Sequence, residues 1–252
     1  MNLLTEVARC IKHRVDMATH PWGRHSKSLL TEMKDSRRGE RCFIIGNGPS
    51  LRHTDLSRLR NEYTFGMNRF YLMFPELGFQ TTYFVAVNYL VIKQCASEIL
   101  ALPVPKFLPW GTRRDLPEVT ADTIFINTSC PKREFTADAR HPLWTGATVT
   151  FAALQLAYHM GFKEVILIGV DHSFASKGAP GKIVTSEGDD PNHFAPHYFG
   201  KGFRWQLPDL QTSEISYGLA RAAFENAGRK VLDATIGGKL TIFPKVDYPS
   251  LF

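Results

Sequence analysis

The sequence is short of the features that usually assign a chain at sight. It has four cysteines, Cys10, Cys42, Cys95 and Cys130, widely spaced and with no C-x-x-C pair, which argues against a zinc cluster. Cys42 falls in an apolar stretch and reads as a small core residue, and reduced thiols in a cytosol are the simpler reading. No apolar run nears the roughly 18–20 residues of a membrane span. The opening MNLLTEVARCIKHR lacks the apolar centre of a signal peptide, so the expected location is cytoplasmic. RNP, KH and zinc-finger patterns are missing, as is a dense Lys/Arg stripe, so nucleic acid is not an expected partner. Also absent are internal repeats, a Walker A loop, a G-x-G-x-x-G fingerprint and a D-x-D at a strand end.

What is present is an ordinary globular composition. The 252 residues are 44% hydrophobic and 21% charged, which suits one large α/β domain. Lys and Arg outnumber Asp and Glu by 30 to 24, a formal charge of +6. That balance favours anionic ligands: nucleotides, acidic sugars or the inner face of a membrane.

Residues 1–40 read as an N-terminal helical extension and 41–252 as a single nucleotide-binding α/β domain. Leu3, Leu4, Val7, Ile11 and Val15 recur at helical spacing, with Arg9, Lys12, His13 and Arg14 between them. Such a helix packs on its own domain or on a partner subunit, which allows a homo-oligomer. A basic amphipathic helix also suits peripheral contact with the inner membrane face. His20-Pro-Trp-Gly-Arg-His-Ser reads as a break before a short helix over 28–34. From Arg41, short apolar segments at 41–45, 63–67, 83–87, 106–108, 123–126, 164–168 and 230–232 alternate with helical patterns at 88–100, 147–160 and 212–226. This alternation predicts a Rossmann-like α/β fold, a mostly parallel sheet covered by helices. Residues 173–205, rich in Gly, Pro, Lys, His and aromatics but without periodicity, read as an irregular lid.

Candidate site residues fall at the ends of these strands. Gly46 and Gly48 permit a tight turn and close approach to a ligand. Pro49 and Ser50 suit a helix start whose N–H groups attract phosphate. Asn47, Asn68 and Asn88 stand beyond three successive strands, where amides can hydrogen-bond a base, a ribose or a sugar. The competing reading of each is a helix cap. Thr145 is an expected N-cap, with Gly146 starting the turn. Asp171 ends an apolar strand, where open α/β sheets bind ligands. Asp189-Asp190 reads as a solvated turn rather than a metal site.

The run GNGPSL, DLSRL, MNRFY, VAVN, TGATVTFAALQLAYHMGFKEVILIGVDHSF and PNHF resembles the bacterial sialyltransferases of glycosyltransferase family 42. It also resembles the broader DUF115 group, which is similar to archaeal 6-hydroxymethylpterin pyrophosphokinases. The likeness covers roughly Arg41 to Asp247. It implies that Asn47, Asn68 and Asn88 contact a CMP-linked donor and that the Thr145-Gly146 turn lies at that donor. His193 in PNHF matches a general base for inverting transfer of an acidic sugar to a glycan or glycolipid acceptor, with no obligatory metal. The family's leaving-group tyrosine falls on Ser173 here, so Tyr198 and Lys201 are the candidates to replace it. Arg140 is the nearest match to an arginine ahead of the turn. The alternatives are an ATP-dependent pterin pyrophosphokinase, with Mg²⁺ held by Asp171, Asp189 and Asp190, and an inactive nucleotide-binding protein of glycan assembly.

Overall fold

A computed structural model describes residues 3–252, with side chains from residue 5 onward; the side chains of Leu3 and Leu4 lie outside the described residues. In chain order the elements begin with α1 (Leu3–Thr19), α2 (Pro21–Met33), β1 (Arg41–Ile45), β2 (Tyr63–Met67), α3 (Phe74–Leu77) and β3 (Tyr83–Val85). Then come α4 (Tyr89–Gln94), α5 (Ala96–Leu100), β4 (Lys106–Pro109), β5 (Thr123–Ile126), α6 (Val149–Met160) and β6 (Glu164–Ile168). The chain closes with β7 (Ile183–Thr185), β8 (Arg204–Gln206), α7 (Leu210–Asn226) and β9 (Lys230–Asp233). Among the described residues, no helix is long and apolar enough to cross a membrane.

Seven strands form one parallel sheet in the order β5-β4-β3-β2-β1-β6-β9. The fold is the expected Rossmann-like α/β architecture. Short strands buried on both faces explain it: Cys42 and Ile44 of β1 join one core cluster, Phe43 and Ile45 the other. Strand order reverses at β1, because β2 to β5 spread to one side and β6 crosses to the other. Loops leaving β1 and β6 therefore diverge, and a crevice opens at their carboxyl ends.

Local differences from the expected boundaries have physical causes. The break at residues 20–26 shrinks to His20 alone. Its Nδ1 accepts from Trp22 N–H, and Pro21 opens α2 at the first position, where its missing N–H costs nothing. The helix expected over 88–100 divides at Cys95, whose φ of −123° departs from helical values. The 173–205 lid is not wholly irregular, since β7 and β8 form an antiparallel pair. Its buried Phe194, Tyr198, Phe199 and Trp205 anchor it to one core cluster.

The segment before α6 is pinned by charge. Asp138 receives Arg140 and Lys34 of the loop after α2 at 2.6 and 2.9 Å, and His159 of α6 lies 3.5 Å away. The Arg140 guanidinium, aided by Lys34, holds the Asp138 carboxyl well below the usual carboxylate range. A depressed folded-state pKa contributes stability above the unfolded value of about 3.9 and loses it as pH falls further. Asp138→Asn should therefore melt below wild type at neutral pH, with the gap closing as pH drops below about 4. Thermal melts across that range check it, and a gap constant with pH would refute the account.

Candidate functional site

A cavity of about 320 Å³ opens over the carboxyl ends of β1, β2, β3 and β6. Asn47, Asn68, Asn88, Thr145, Asp171 and His193 all line it, together with Gly46 and Gly48. The structure thus brings three strand-end asparagines and the PNHF imidazole to one space.

The asparagines are not equivalent. Oδ1 of Asn88 accepts from Leu90 and Val91 N–H at 2.9 and 3.3 Å, so this residue caps α4. By contrast, Oδ1 of Asn47 and Oδ1 of Asn68 are buried and have no hydrogen-bond partner. An unpaired buried carbonyl costs roughly 1–3 kcal/mol, and a ligand carrying N–H or O–H donors would remove that cost. Asn68 is also held at φ +52°. Ala147 and His172, at φ +60° and +53°, line the same cavity. Such left-handed backbone at non-glycine residues concentrates at functional sites.

The glycines serve a different purpose from the one expected. A Cβ on Gly46 would lie 2.1 Å from the Gly169 carbonyl oxygen, and one on Gly48 1.8 Å from Oδ2 of Asp171. The close approach is to the protein itself. Asp171 accepts from Ser50 N–H at 3.0 Å and from Ser50 Oγ–H at 2.6 Å. It therefore caps the short 3₁₀ turn Pro49–His53. Pro49 and Ser50 do not line the cavity, and the carboxylate already occupies the N–H group expected to hold phosphate. Through Ser50, Asp171 braces the cavity wall.

Thr145 does not cap α6. Gly146 and Ala147 turn left-handed, and Thr148 takes the cap, its Oγ1 accepting from Thr150 N–H. Gly146 packs against Ser216 and Phe151 rather than lining the cavity. The amino end of α6 nevertheless faces the space, since Thr145 and residues 147–150 line it. Helix amino ends attract anions.

Two further candidates lie outside. Tyr198 is fully buried, burial raises its phenol well above the usual range, and its oxygen accepts from Arg69 N–H. Lys201 is exposed in a turn beyond the lining. Neither reaches the cavity to replace the leaving-group tyrosine. Arg140 is likewise committed to Asp138.

The Asp189-Asp190 pair is not a solvated turn. Asp189 is exposed, but Asp190 is buried and accepts from Asn192 N–H, Phe199 N–H and His193 Nδ1 at 2.8, 3.1 and 2.7 Å. The His193 ring stacks on Tyr198 at 4.0 Å between centroids. A carboxylate already taking two N–H groups can only accept from the imidazole. In the neutral ring the proton is therefore on Nδ1, which leaves Nε2 as an acceptor. Arg52 fixes the same loop through the carbonyls of Phe194 and His193, and Phe194 N–H reaches Asn47 O at 2.9 Å. The contributions of Asp190, Arg52 and His172 do not follow from the sequence reading. The three-residue spacing of Asp190 and His193 was the available signal.

The carboxylates named for Mg²⁺ do not converge. Asp171 is committed to Ser50 and Asp190 to His193, while Asp189 is exposed off the cavity. This donor set does not fit a phosphate-bound metal clamp.

Over residues 17–177 the sequence matches the family profile described as 6-hydroxymethylpterin diphosphokinase MptE-like. Comparison with curated proteins gives no match. Among solved structures, the MAf glycosyltransferase from Magnetospirillum magneticum AMB-1 is similar, with a TM-score of 0.54 and 13% identity. The alignment covers 91% of this chain but only 39% of that one. At such identity the likeness concerns the fold.

Proposed function

Because this chain belongs to the 6-hydroxymethylpterin diphosphokinase MptE-like family and shares its fold with a Maf glycosyltransferase, we propose that it is a glycosyltransferase. It takes an acidic, sialic-acid-like sugar from a CMP-activated donor and passes it, with inversion, to a surface-glycan acceptor. One observation carries this reading: the unpartnered oxygens of Asn47 and Asn68 share a cavity with an imidazole oriented by a buried carboxylate. Ribose hydroxyls and the cytosine amino group are donors of the kind those oxygens lack.

Charge favours the donor class. Among the described residues, no Lys or Arg lines the cavity. A CMP-linked acidic sugar carries two negative charges, one on the phosphodiester, which the amino end of α6 can meet through N–H groups, and one on the sugar carboxylate. The triphosphate of ATP carries several, and its transfer relies on cations and metal. The lining residues supply neither a fixed cation nor a carboxylate clamp, which weighs against the diphosphokinase reading suggested by the family description.

In the proposed reaction the acceptor oxygen bonds to the anomeric carbon as the carbon–oxygen bond to phosphate breaks. The bonding pair leaves with CMP. Nε2 of His193 takes the hydroxyl proton, and Asp190 stabilises the imidazolium that forms. A thermal-shift series with CMP, CDP, UDP, GDP, ADP and ATP, each with and without Mg²⁺, tests the donor. CMP should raise the melting temperature without metal; at 100-fold excess over Kd the gain corresponds to about 2.7 kcal/mol. Asn47→Ala and Asn68→Ala should each reduce that shift. A response to Mg²⁺–ATP with none to CMP would overturn the reading.

A further inference from the structure

A second cavity, of about 560 Å³, adjoins the first. Val87 lines both. Asn88 and Thr145 face the first, while their chain neighbours Tyr89 and Trp144 face the second. The two spaces meet along one seam.

Their linings differ in kind. Among the described residues, the first has no basic group beyond histidine, whereas Arg9, Arg133 and His13 line the second, against a single acid, Glu6. Burial, followed by Arg9, lowers the pKa of His13, which favours its neutral form, and Arg133 stands exposed at the rim as a fixed cation. Thr112, Thr128 and Ser129 complete the wall; the Thr112 hydroxyl donates to the Pro109 carbonyl at 2.8 Å, and Ser129 Oγ lies 2.8 Å from His13 Nδ1. Cations, hydroxyls and two aromatic rings in one pocket match an acidic sugar, with salt-bridged anion, hydrogen-bonded hydroxyls and an apolar ring face.

α1 is built around this space. Glu6, Arg9 and Val7, Ile11, Val15 fall on different sides at 100° per residue. The polar set, with His13, lines the cavity, while Val7, Ile11 and Val15 are exposed. On the cavity side Glu6 and His13 are half-buried and Arg9 stands exposed at the rim.

We propose that this second cavity is the acceptor site and takes a sugar bearing a carboxylate or phosphate. The assignment rests on the transferase reading of the first cavity. The full-length chain should bind glucuronic acid and glucose 1-phosphate in calorimetric titration, with glucose much weaker. Arg133, exposed at the rim, can be reversed without disturbing a core. Arg133→Glu should weaken both acidic ligands about tenfold or more while the CMP-induced thermal shift persists. Equal binding of glucose, or no effect of Arg133→Glu, overturns the assignment. Stabilisation by CMP without binding of either acidic sugar overturns it alone. Arg133-dependent binding of acidic sugars with no response to CMP overturns both the acceptor role and the transferase reading.

Discussion

His193→Ala should lower turnover by about 10²- to 10⁴-fold, the usual contribution of a positioned general base. The loss belongs in kcat, because the proton moves only as the new bond forms, and KM for the donor should change little. Asp190→Asn sharpens the test without emptying the cavity. An amide facing Nδ1 can donate, which would shift the ring proton to Nε2 and remove the acceptor. A loss approaching that of His193→Ala is expected, as wrong-tautomer substitutions in Asp-His pairs can cost about 10⁴-fold. Steady-state kinetics with a CMP-sugar measures both. Retention of more than a tenth of wild-type kcat by His193→Ala would remove the imidazole from the mechanism.

The largest stability effect is expected at Gly46. An added Cβ would meet the backbone of Gly169, at 2.1 Å from its oxygen and 2.5 Å from its carbon. Backbone cannot swing aside as a side-chain tip can, so the ends of β1 and β6 would have to part. Gly46→Ala should cost about 3 kcal/mol or more, a fall of roughly 6–12 °C in Tm for a chain of this size. A Cβ added to Gly188 would meet nothing within 4 Å, and the backbone there is open to alanine, so Gly188→Ala serves as the neutral control. A melting temperature within about 2 °C of wild type for Gly46→Ala would show that the strand ends are looser than described.

These two positions also show how far the sequence could be read. All seven strands of the main sheet were legible because buried parallel strands are short apolar runs. The gathering of Asn47, Asn68 and Asn88 followed from strand ends sharing an edge, whereas His193 was named only through the resemblance carried by PNHF. The purpose of Gly46 and Gly48 did not follow. A glycine that lets a ligand approach and one that lets another strand approach look alike until the neighbour is known. Asp190 was hidden for a related reason. Two adjacent acids in a loop rich in Gly and Pro suggest solvent, and only the fold of residues 190–199 turns one of them beneath the imidazole. The start of α6 slipped because Thr145 and Thr148 are equally good caps. The left-handed turn at Gly146 and Ala147 decides between them. Tyr198 was misplaced because an aromatic in a polar segment reads as accessible, whereas it is the floor on which His193 rests.

The position of β1 at the reversal of strand order also bears on how the chain is made. Its partner on one side, β2, follows almost at once, but Arg41 waits for Glu164 on the other. A nascent chain emerging from the ribosome would carry β1 to β5 with one edge of β1 bare while α6 and β6 are still being translated. Long-range pairing of this kind is slow and exposed to aggregation. The edge left open carries Cys42 to Ile45, all fully buried in the finished sheet. The crevice between β1 and β6 therefore completes late, only once residues 164–168 have emerged to pair.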